Sequence, residues 1–213
     1  MAGYLQKKRG KWEVIVVDDG SRDGTAETVE HVARDHPAIR LLRLTQNRGK
    51  GEAVKQGVQQ ARYDVCLFMD ADNATKIEEW DKFEGCFDSG FDAVIASRHL
   101  PASEILHPQP FARRFLGGGY RFLCRSLFGL SASDLNCGFK AYRTSLAKQV
   151  YAENRMNDWT FDIETLCRLK KQGVKFAEVP VSWAHQEKKS GIAPLRAAFK
   201  TFGSLWRLKR GLR

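Results

Sequence analysis

The sequence lacks the features that mark several classes of protein. Its five cysteines are scattered and form no C-x-x-C pair, which argues against a disulfide framework or a zinc site. No run of about 18 apolar residues occurs, so no membrane-spanning helix is predicted. The first residues include Lys7, Lys8 and Arg9 but no apolar stretch of the kind that a signal peptide needs. These absences predict a reduced, cytoplasmic protein.

Charge is plentiful but unevenly distributed. The 213 residues include 35 Lys and Arg against 25 Asp and Glu, a net charge of +10. Residues 1–105 hold 15 basic and 18 acidic side chains, a net −3, whereas residues 106–213 hold 20 and 7, a net +13. An excess of this size indicates a polyanionic partner, which could be nucleic acid, an anionic membrane or a phosphate-bearing substrate. We predict one continuous domain whose two halves divide the function.

Hydrophobic periodicity predicts the secondary structure. Strands are predicted at residues 14–17, 39–44, 65–69, 93–96 and 176–181. Helices are predicted at residues 25–35, 51–61, 77–87, 111–130, 161–171 and 194–213. Strands that alternate with helices predict an α/β fold, with a mostly parallel, Rossmann-like sheet and helices on both faces. The helices at 111–130 and 194–213 are basic and amphipathic. Residues 134–142 are predicted to be a compact polar segment.

Polar motifs follow three of the predicted strands, at the sheet edge where such folds bind ligands. Asp70 and Asp72 flank one residue, and paired carboxylates with substrate phosphates form typical sites for Mg²⁺ or Mn²⁺. The alternative is a turn in which these carboxylates only accept backbone hydrogen bonds. Asp18 and Asp19 either end a strand in a turn or bind a ribose or base. Lys50 lies in a glycine-containing loop before a helix, which could hold a diphosphate or be an ordinary surface loop.

Five segments in order carry a resemblance to a known family: V-I-V-V-D-D-G-S-R-D-G-T, N-R-G-K-G, D-A-D-N, S-R and D-L-N-C-G-F-K. Together they resemble the inverting family-2 glycosyltransferases, in particular the polyprenyl- or dolichyl-phosphate glucosyl- and mannosyltransferases. The resemblance implies a GT-A type fold, a nucleotide-sugar donor, a Mg²⁺ or Mn²⁺ ion and a polyprenyl-phosphate acceptor at a membrane surface. Residues 1–105 would then bind the donor and metal, and residues 106–213 the acceptor.

The resemblance also assigns roles to residues by position. Asp18 and Asp19 would hold the nucleoside, Asp70 and Asp72 the metal and diphosphate, with Asp72 also counted as catalytic. Lys50, Arg98, Arg113 and Lys189 would contact phosphates of donor or acceptor, and Asp134 would be the catalytic residue on the acceptor side. A polyprenyl phosphate is mostly dianionic at pH 7 and hardly needs a general base. A hydroxyl acceptor would need one, with Asp134, then Asp162 or Glu164, as candidates.

The donor and the activity remain open between alternatives. The N-C-G-F-K segment favours UDP-glucose over GDP-mannose. The family's first strand, which is followed by P-x-Y-N-E and forms one wall of the nucleotide pocket, has no counterpart here, and Ala74 stands where relatives often have a polar residue. The alternative is therefore a truncated, non-catalytic relative that acts as a binding or regulatory protein.

The two basic helices, at 111–130 and 194–213, indicate which kind of partner the protein binds. Cations beside apolar side chains suit a protein bound peripherally to the anionic cytoplasmic face of a membrane. The alternative is that both helices pack their apolar faces on the sheet. Nucleic acid is excluded as the partner because no nucleic-acid-binding motif occurs.

Overall fold

The computed structural model describes residues 1–8, 10–185 and 194–212. The α-helices are α1 (Ala2–Leu5), α2 (Thr25–Asp35), α3 (Lys50–Gln59), α4 (Asp81–Asp88), α5 (Phe111–Phe128), α6 (Thr144–Glu153), α7 (Phe161–Lys171) and α8 (Pro194–Gly211), with a 3₁₀ turn at Ile77–Trp80. The strands are β1 (Val14–Asp18), β2 (Ile39–Arg43), β3 (Val65–Met69), β4 (Ala93–Ser97), β5 (Glu104–His107), β6 (Phe139–Arg143), β7 (Phe176–Pro180) and β8 (Ser182–Ala184).

The predicted elements form within two residues of the expected ends, apart from the single helix predicted at 77–87. There the chain first makes the 3₁₀ turn, and α4 begins only at Asp81. The elements β5, β8 and α6 were not predicted.

The sheet is mixed, and this corrects the prediction for residues 134–142. That segment contains β6, which runs antiparallel to both β3 and β4 and lies between them. The pairs β1–β2, β4–β7 and β5–β8 are parallel, as predicted for an α/β fold. Since β6 and β7 come from the second half of the chain, the four-stranded sheet β3-β6-β4-β7 takes two strands from each half.

The core lies on both faces of this sheet. Side chains of β4 alternate: Ala93 and Ile95 face a cluster formed with α6 and α7, whereas Val94 and Ala96 face a second cluster formed with α4. All four are almost completely buried, because helices cover both sides. The predicted placement of helices on both faces is confirmed.

Helices α5 and α8 bury some apolar side chains in the core, at Cys124, Leu205 and Leu208, but leave other large apolar side chains in water. Phe111, Phe115 and Phe122 of α5 are 74–80% exposed, and Trp206 of α8 is 65% exposed. Within the residues that the structure describes, no helix is both long and apolar enough to cross a membrane.

All five cysteines are free in the structure. Three of them, Cys124, Cys137 and Cys167, are buried in the core. Burial raises the pKa of each of these thiols, so they remain protonated and act as small apolar side chains.

Candidate active site

The loop after β1 is tied to the loop before α3 through Asp19. Its carboxylate accepts hydrogen bonds from the backbone N–H groups of Arg48 and Gly49, both at 2.8 Å. Gly49 has φ 97°, and a Cβ there would lie 2.5 Å from the carbonyl oxygen of Asn157. Only glycine fits both constraints, so the loop is held on both sides and the start of α3 has a fixed position.

Asp18 is buried at the end of β1 with part of its carboxylate unpaired. Its Oδ1 accepts the backbone N–H of Ser21 at 3.0 Å, which is a turn contact. Its Oδ2 is buried without a hydrogen-bond partner among the described residues and lies 3.6 Å from Nε of Arg43. A buried acceptor of this kind is costly unless a donor completes it, so it suits a ligand hydroxyl or N–H.

The predicted diphosphate-binding lysine and the predicted metal-binding aspartate are in contact. Nζ of Lys50 lies 2.7 Å from Oδ1 of Asp70. The Asp70 carboxylate lies across Gly138, where a Cβ would stand only 2.1 Å from it. The backbone N–H of Asp70 also donates to the carbonyl of Gly138 at 2.8 Å. Gly138 immediately precedes β6. The start of this strand, which the sequence did not predict, therefore lies directly against Asp70.

Asp72 lies in a turn. The sequence left open whether its carboxylate makes a turn contact or binds a metal, and the structure is compatible with both. Asp72 is half-buried, and its Oδ1 accepts the backbone N–H of Ala74 at 3.1 Å. Asn73 between them has φ 57°, a left-handed conformation that asparagine tolerates better than most residues and that often marks a functional loop. Asp72 therefore makes the predicted turn contact, while one of its two oxygens remains available for a ligand.

The donor set suits a divalent cation only together with a substrate. Asp70 and Asp72 offer partly exposed carboxylate oxygens, the ligand type that Mg²⁺ and Mn²⁺ prefer. In the described part of the chain, no three His, Cys, Asp or Glu side chains gather closely enough to hold a metal by themselves. A cation here would need further oxygens, such as those of a bound diphosphate.

Arg98 and Asp134 form a buried, two-point ion pair. Nε and Nη2 of Arg98 donate to Oδ2 and Oδ1 of Asp134 at 2.7 and 2.9 Å, and the Arg98 backbone N–H donates to Oδ2 at 3.0 Å. Burial by itself would raise the pKa of Asp134, but the hydrogen bonds and charge of Arg98 lower it to about 2. The guanidinium also lies 5.4 Å from the ring centre of Trp183. This environment makes Asp134 a weak base and fixes Arg98 in one orientation.

Glu178 holds the loop that carries Asp134, and the sequence analysis did not identify it. Its carboxylate accepts the backbone N–H and the hydroxyl of Ser133, both at 2.8 Å, and the backbone N–H of Asp134 at 3.3 Å. The one available signal was an acidic residue inside the otherwise apolar strand β7.

Glu164 has a similar role beneath the start of α3. Its Oε2 accepts the backbone N–H groups of Arg155 and Met156, at 2.9 and 2.8 Å, and its Oε1 accepts from Arg168. Asp162 is fully buried and paired with Lys140, which also donates to the Leu135 carbonyl at 3.0 Å. Both acidic residues are therefore structural groups, with no free carboxylate exposed to an acceptor.

Of two further predicted phosphate-binding residues, the structure describes only Arg113, which has no hydrogen bond or ion pair to these side chains. Arg113 is exposed on α5, and Lys189 lies outside the described residues. Among the other predicted positions, Asp19 holds the loop before Lys50, Lys50 contacts Asp70, and Arg98 pairs with Asp134.

Comparison with known proteins finds a matching family model and several similar curated proteins. The family model described as "Glycosyl transferase family 2" matches residues 4–151. A dolichyl-phosphate beta-glucosyltransferase of Trichomonas vaginalis is 38% identical over 191 residues, 84% of this chain and 56% of that protein. The enzyme of the same name from Dictyostelium discoideum is 35% identical over 192 residues, 84% of this chain and 59% of that protein. The chain thus spans somewhat more than half the length of these relatives.

A solved structure confirms the fold. Glucosyl-3-phosphoglycerate synthase from Mycobacterium tuberculosis, in complex with Mn²⁺, UDP-glucose and phosphoglyceric acid, superposes with a TM-score of 0.56 at 18% identity. The superposition covers 86% of this chain and 62% of that one. The predicted GT-A type fold is therefore confirmed.

Proposed function

The chain belongs to glycosyl transferase family 2, and on this basis we propose that it transfers glucose from UDP-glucose to a polyprenyl or dolichyl phosphate, with inversion. GDP-mannose is the alternative donor. The observation that carries the proposal is the direct contact between Lys50 and Asp70, beside the loop that Asp19 holds. The buried pair of Arg98 and Asp134 supports it as a second group of charged side chains. The names of the relatives, which are dolichyl-phosphate beta-glucosyltransferases, support glucose as the transferred sugar and dolichyl phosphate as the acceptor.

On the donor side, the nucleoside would bind beside Asp18, whose unpaired buried oxygen suits a ribose hydroxyl or a base N–H. Asp19 would contribute mainly by holding the loop that presents Lys50. Asp70 and Asp72 would hold Mg²⁺ or Mn²⁺ against the diphosphate. When bound, this cation neutralises the charge that develops on the diphosphate as the bond to the sugar breaks.

On the acceptor side, the structure suits a phosphate better than a hydroxyl. A phosphate monoester is mostly dianionic at pH 7, so it can attack the sugar without losing a proton. Asp134, with a pKa of about 2, would be a poor base for a hydroxyl acceptor, but it positions Arg98 to bind a phosphate. Arg113 and Lys189 would add positive charge on the same side.

The acceptor would be reached at a membrane surface. The exposed aromatic side chains of α5 recur at Phe111, Phe115 and Phe122, and Arg113 lies exposed on the same helix. Aromatic side chains can enter the interface, and each nearby cation contributes about 1 kcal/mol at an anionic surface. We place the protein peripherally on the cytoplasmic face, where α5 and α8 would contact the bilayer.

The test is transfer of radiolabelled sugar in the presence of Mn²⁺. Polyprenyl phosphate in anionic vesicles is incubated with UDP-glucose or GDP-mannose, and the labelled lipid is extracted. We expect label from UDP-glucose only, in a β-linked product, and none when polyprenol without its phosphate replaces the acceptor. Label from neither donor would contradict the proposed function. Transfer to polyprenol would contradict the role given to the acceptor phosphate.

A second candidate function is supported by a break in the sheet. Strands β1 and β2 form a sheet of their own, and β3 begins the four-stranded sheet. Asp18 and Asp70 therefore lie at the ends of strands that share no hydrogen bonds. A non-catalytic relative would show no thermal stabilisation by UDP or GDP with Mn²⁺, whereas the proposed enzyme should be stabilised by one of them.

A further inference from the structure

Lys50 is the first residue of α3, and its ammonium group pairs with Asp70. The Nζ–Oδ1 distance of 2.7 Å is that of a direct, charge-assisted contact. Both side chains are about one-third exposed, so this contact lies at the surface of the site and can exchange with a ligand.

The position of Lys50 is set by rigid surroundings. Asp19 holds the loop in front of it, and the backbone N–H of Gly51 donates to the carbonyl of Asn157 at 2.9 Å. A Cβ at Gly51 would lie 2.3 Å from the carbonyl of Met156, so α3 starts in close contact with that loop. The backbone at Lys50 is therefore fixed in a position from which its ammonium group reaches Asp70.

Aromatic rings surround the ammonium group. Nζ lies 5.3 Å from the ring centre of Phe68, 5.8 Å from Trp159 and 5.9 Å from Phe161. Ring faces attract a cation. Other charged groups of the site are paired with each other: Asp162 with Lys140, and Arg98 with Asp134. The site is thus built to hold one positive charge next to Asp70.

We propose that Lys50 is an internal counterion that occupies Asp70 until a donor binds. The ammonium group and a divalent cation compete for the same carboxylate, so the cation alone should bind weakly. A nucleoside diphosphate gives the ammonium group a new anionic partner and frees Asp70 for the cation. Cation and diphosphate therefore bind cooperatively. This inference rests on the proposed function to the extent that Asp70 is taken as a cation ligand.

The experiment measures binding without sugar transfer. Mn²⁺ affinity is determined by electron paramagnetic resonance of free Mn²⁺, with and without UDP, for the wild-type chain and for Lys50→Met. We expect Lys50→Met to bind Mn²⁺ alone at least about tenfold more tightly, a change of about 1.4 kcal/mol. We also expect UDP to increase Mn²⁺ affinity in the wild-type chain by a clearly larger factor than in the variant.

Three further variants test whether the change in Mn²⁺ affinity comes from the positive charge at position 50. Lys50→Arg keeps the charge and should keep the weak Mn²⁺ affinity of the wild type. Lys82→Met removes the same charge from α4, where the side chain pairs with Glu79, and should have no effect. Lys50→Gln replaces Lys50→Met if circular dichroism shows that the methionine variant does not fold.

Unchanged or weaker Mn²⁺ binding in the charge-removing Lys50 variant, or an unchanged effect of UDP, would overturn the inference. Asp70→Asn separates this failure from failure of the proposed function. If Asp70→Asn binds Mn²⁺ as the wild type does when UDP is present, Asp70 is not the cation ligand and the assignment of the metal site is wrong.

Discussion

Replacing Asp134 by Asn tests whether the buried pair with Arg98 exists as described. Asp134 is 2% exposed, and Arg98 contacts it with two guanidinium nitrogens and its backbone N–H. The pKa of the carboxyl falls from 3.8 to about 2. At 1.36 kcal/mol for each unit, ionised Asp134 contributes on the order of 2–3 kcal/mol to folding. Since Asp134→Asn also leaves Arg98 without its partner, we expect a loss of about 3–5 kcal/mol at pH 7.

The same substitution has a predicted dependence on pH. Because the folded-state pKa of Asp134 lies below its unfolded value, the unfolded chain binds more protons between the two. The contribution is therefore fully present above about pH 4 and is lost as the pH falls through about 2. The stability difference between wild type and Asp134→Asn should shrink over this interval.

Urea denaturation at several pH values from 2 to 7 measures this difference. Comparing two chains removes the effect of other carboxyl groups that titrate in the same range. Asp72→Asn is the matched control, because Asp72 is half-buried and accepts one backbone hydrogen bond. A difference that stays constant with pH, or one below about 1 kcal/mol at pH 7, would refute the reasoning about the Asp134 pair.

Three other substitutions test the remaining parts of the site. Asp72→Asn should abolish sugar transfer without changing the circular dichroism spectrum, and undiminished turnover with added Mn²⁺ would contradict its role. Gly138→Ala should displace Asp70, since a Cβ would stand 2.1 Å from that carboxylate. Calorimetry should then show Mn²⁺–UDP binding weakened at least about tenfold. Equal binding would show that Asp70 is not fixed there. Phe115→Asp should reduce co-sedimentation with anionic vesicles, whereas Val32→Asp, at another exposed apolar position, should not; equal losses would argue against α5 as the contact surface.

The motifs of the first half were predictable because each follows a short apolar strand. The run before Asp18 and the run before Asp70 have the length and composition of buried strands, and both are strands in the structure. The family resemblance drawn from these motifs is confirmed by the match over residues 4–151. Strands and turns of this kind can be predicted from the sequence because strand composition and turn chemistry depend on only a few neighbouring residues.

The contacts within the site were not predictable from local sequence. Nothing near Glu178 in the chain indicates that it holds the loop around Ser133, because the two segments meet only through β7 and its neighbours. The strand β6 was missed for a related reason. Its sequence, Phe139–Arg143, contains Lys140, which would be exposed in an ordinary strand but is buried here against Asp162.

The sequence alone determined the α/β class, the places where acidic motifs interrupt the chain, and the division into a near-neutral half and a half of net charge +13. These properties depend on residue type and on spacing along the chain. Only the tertiary structure decided that Lys50 neutralises Asp70, that Arg98 neutralises Asp134, and that the start of β6 lies directly against Asp70. Charges separated by 20 to 36 positions interact only after the sheet has brought them within a few ångströms, because Coulomb energies and hydrogen bonds depend on distance in space.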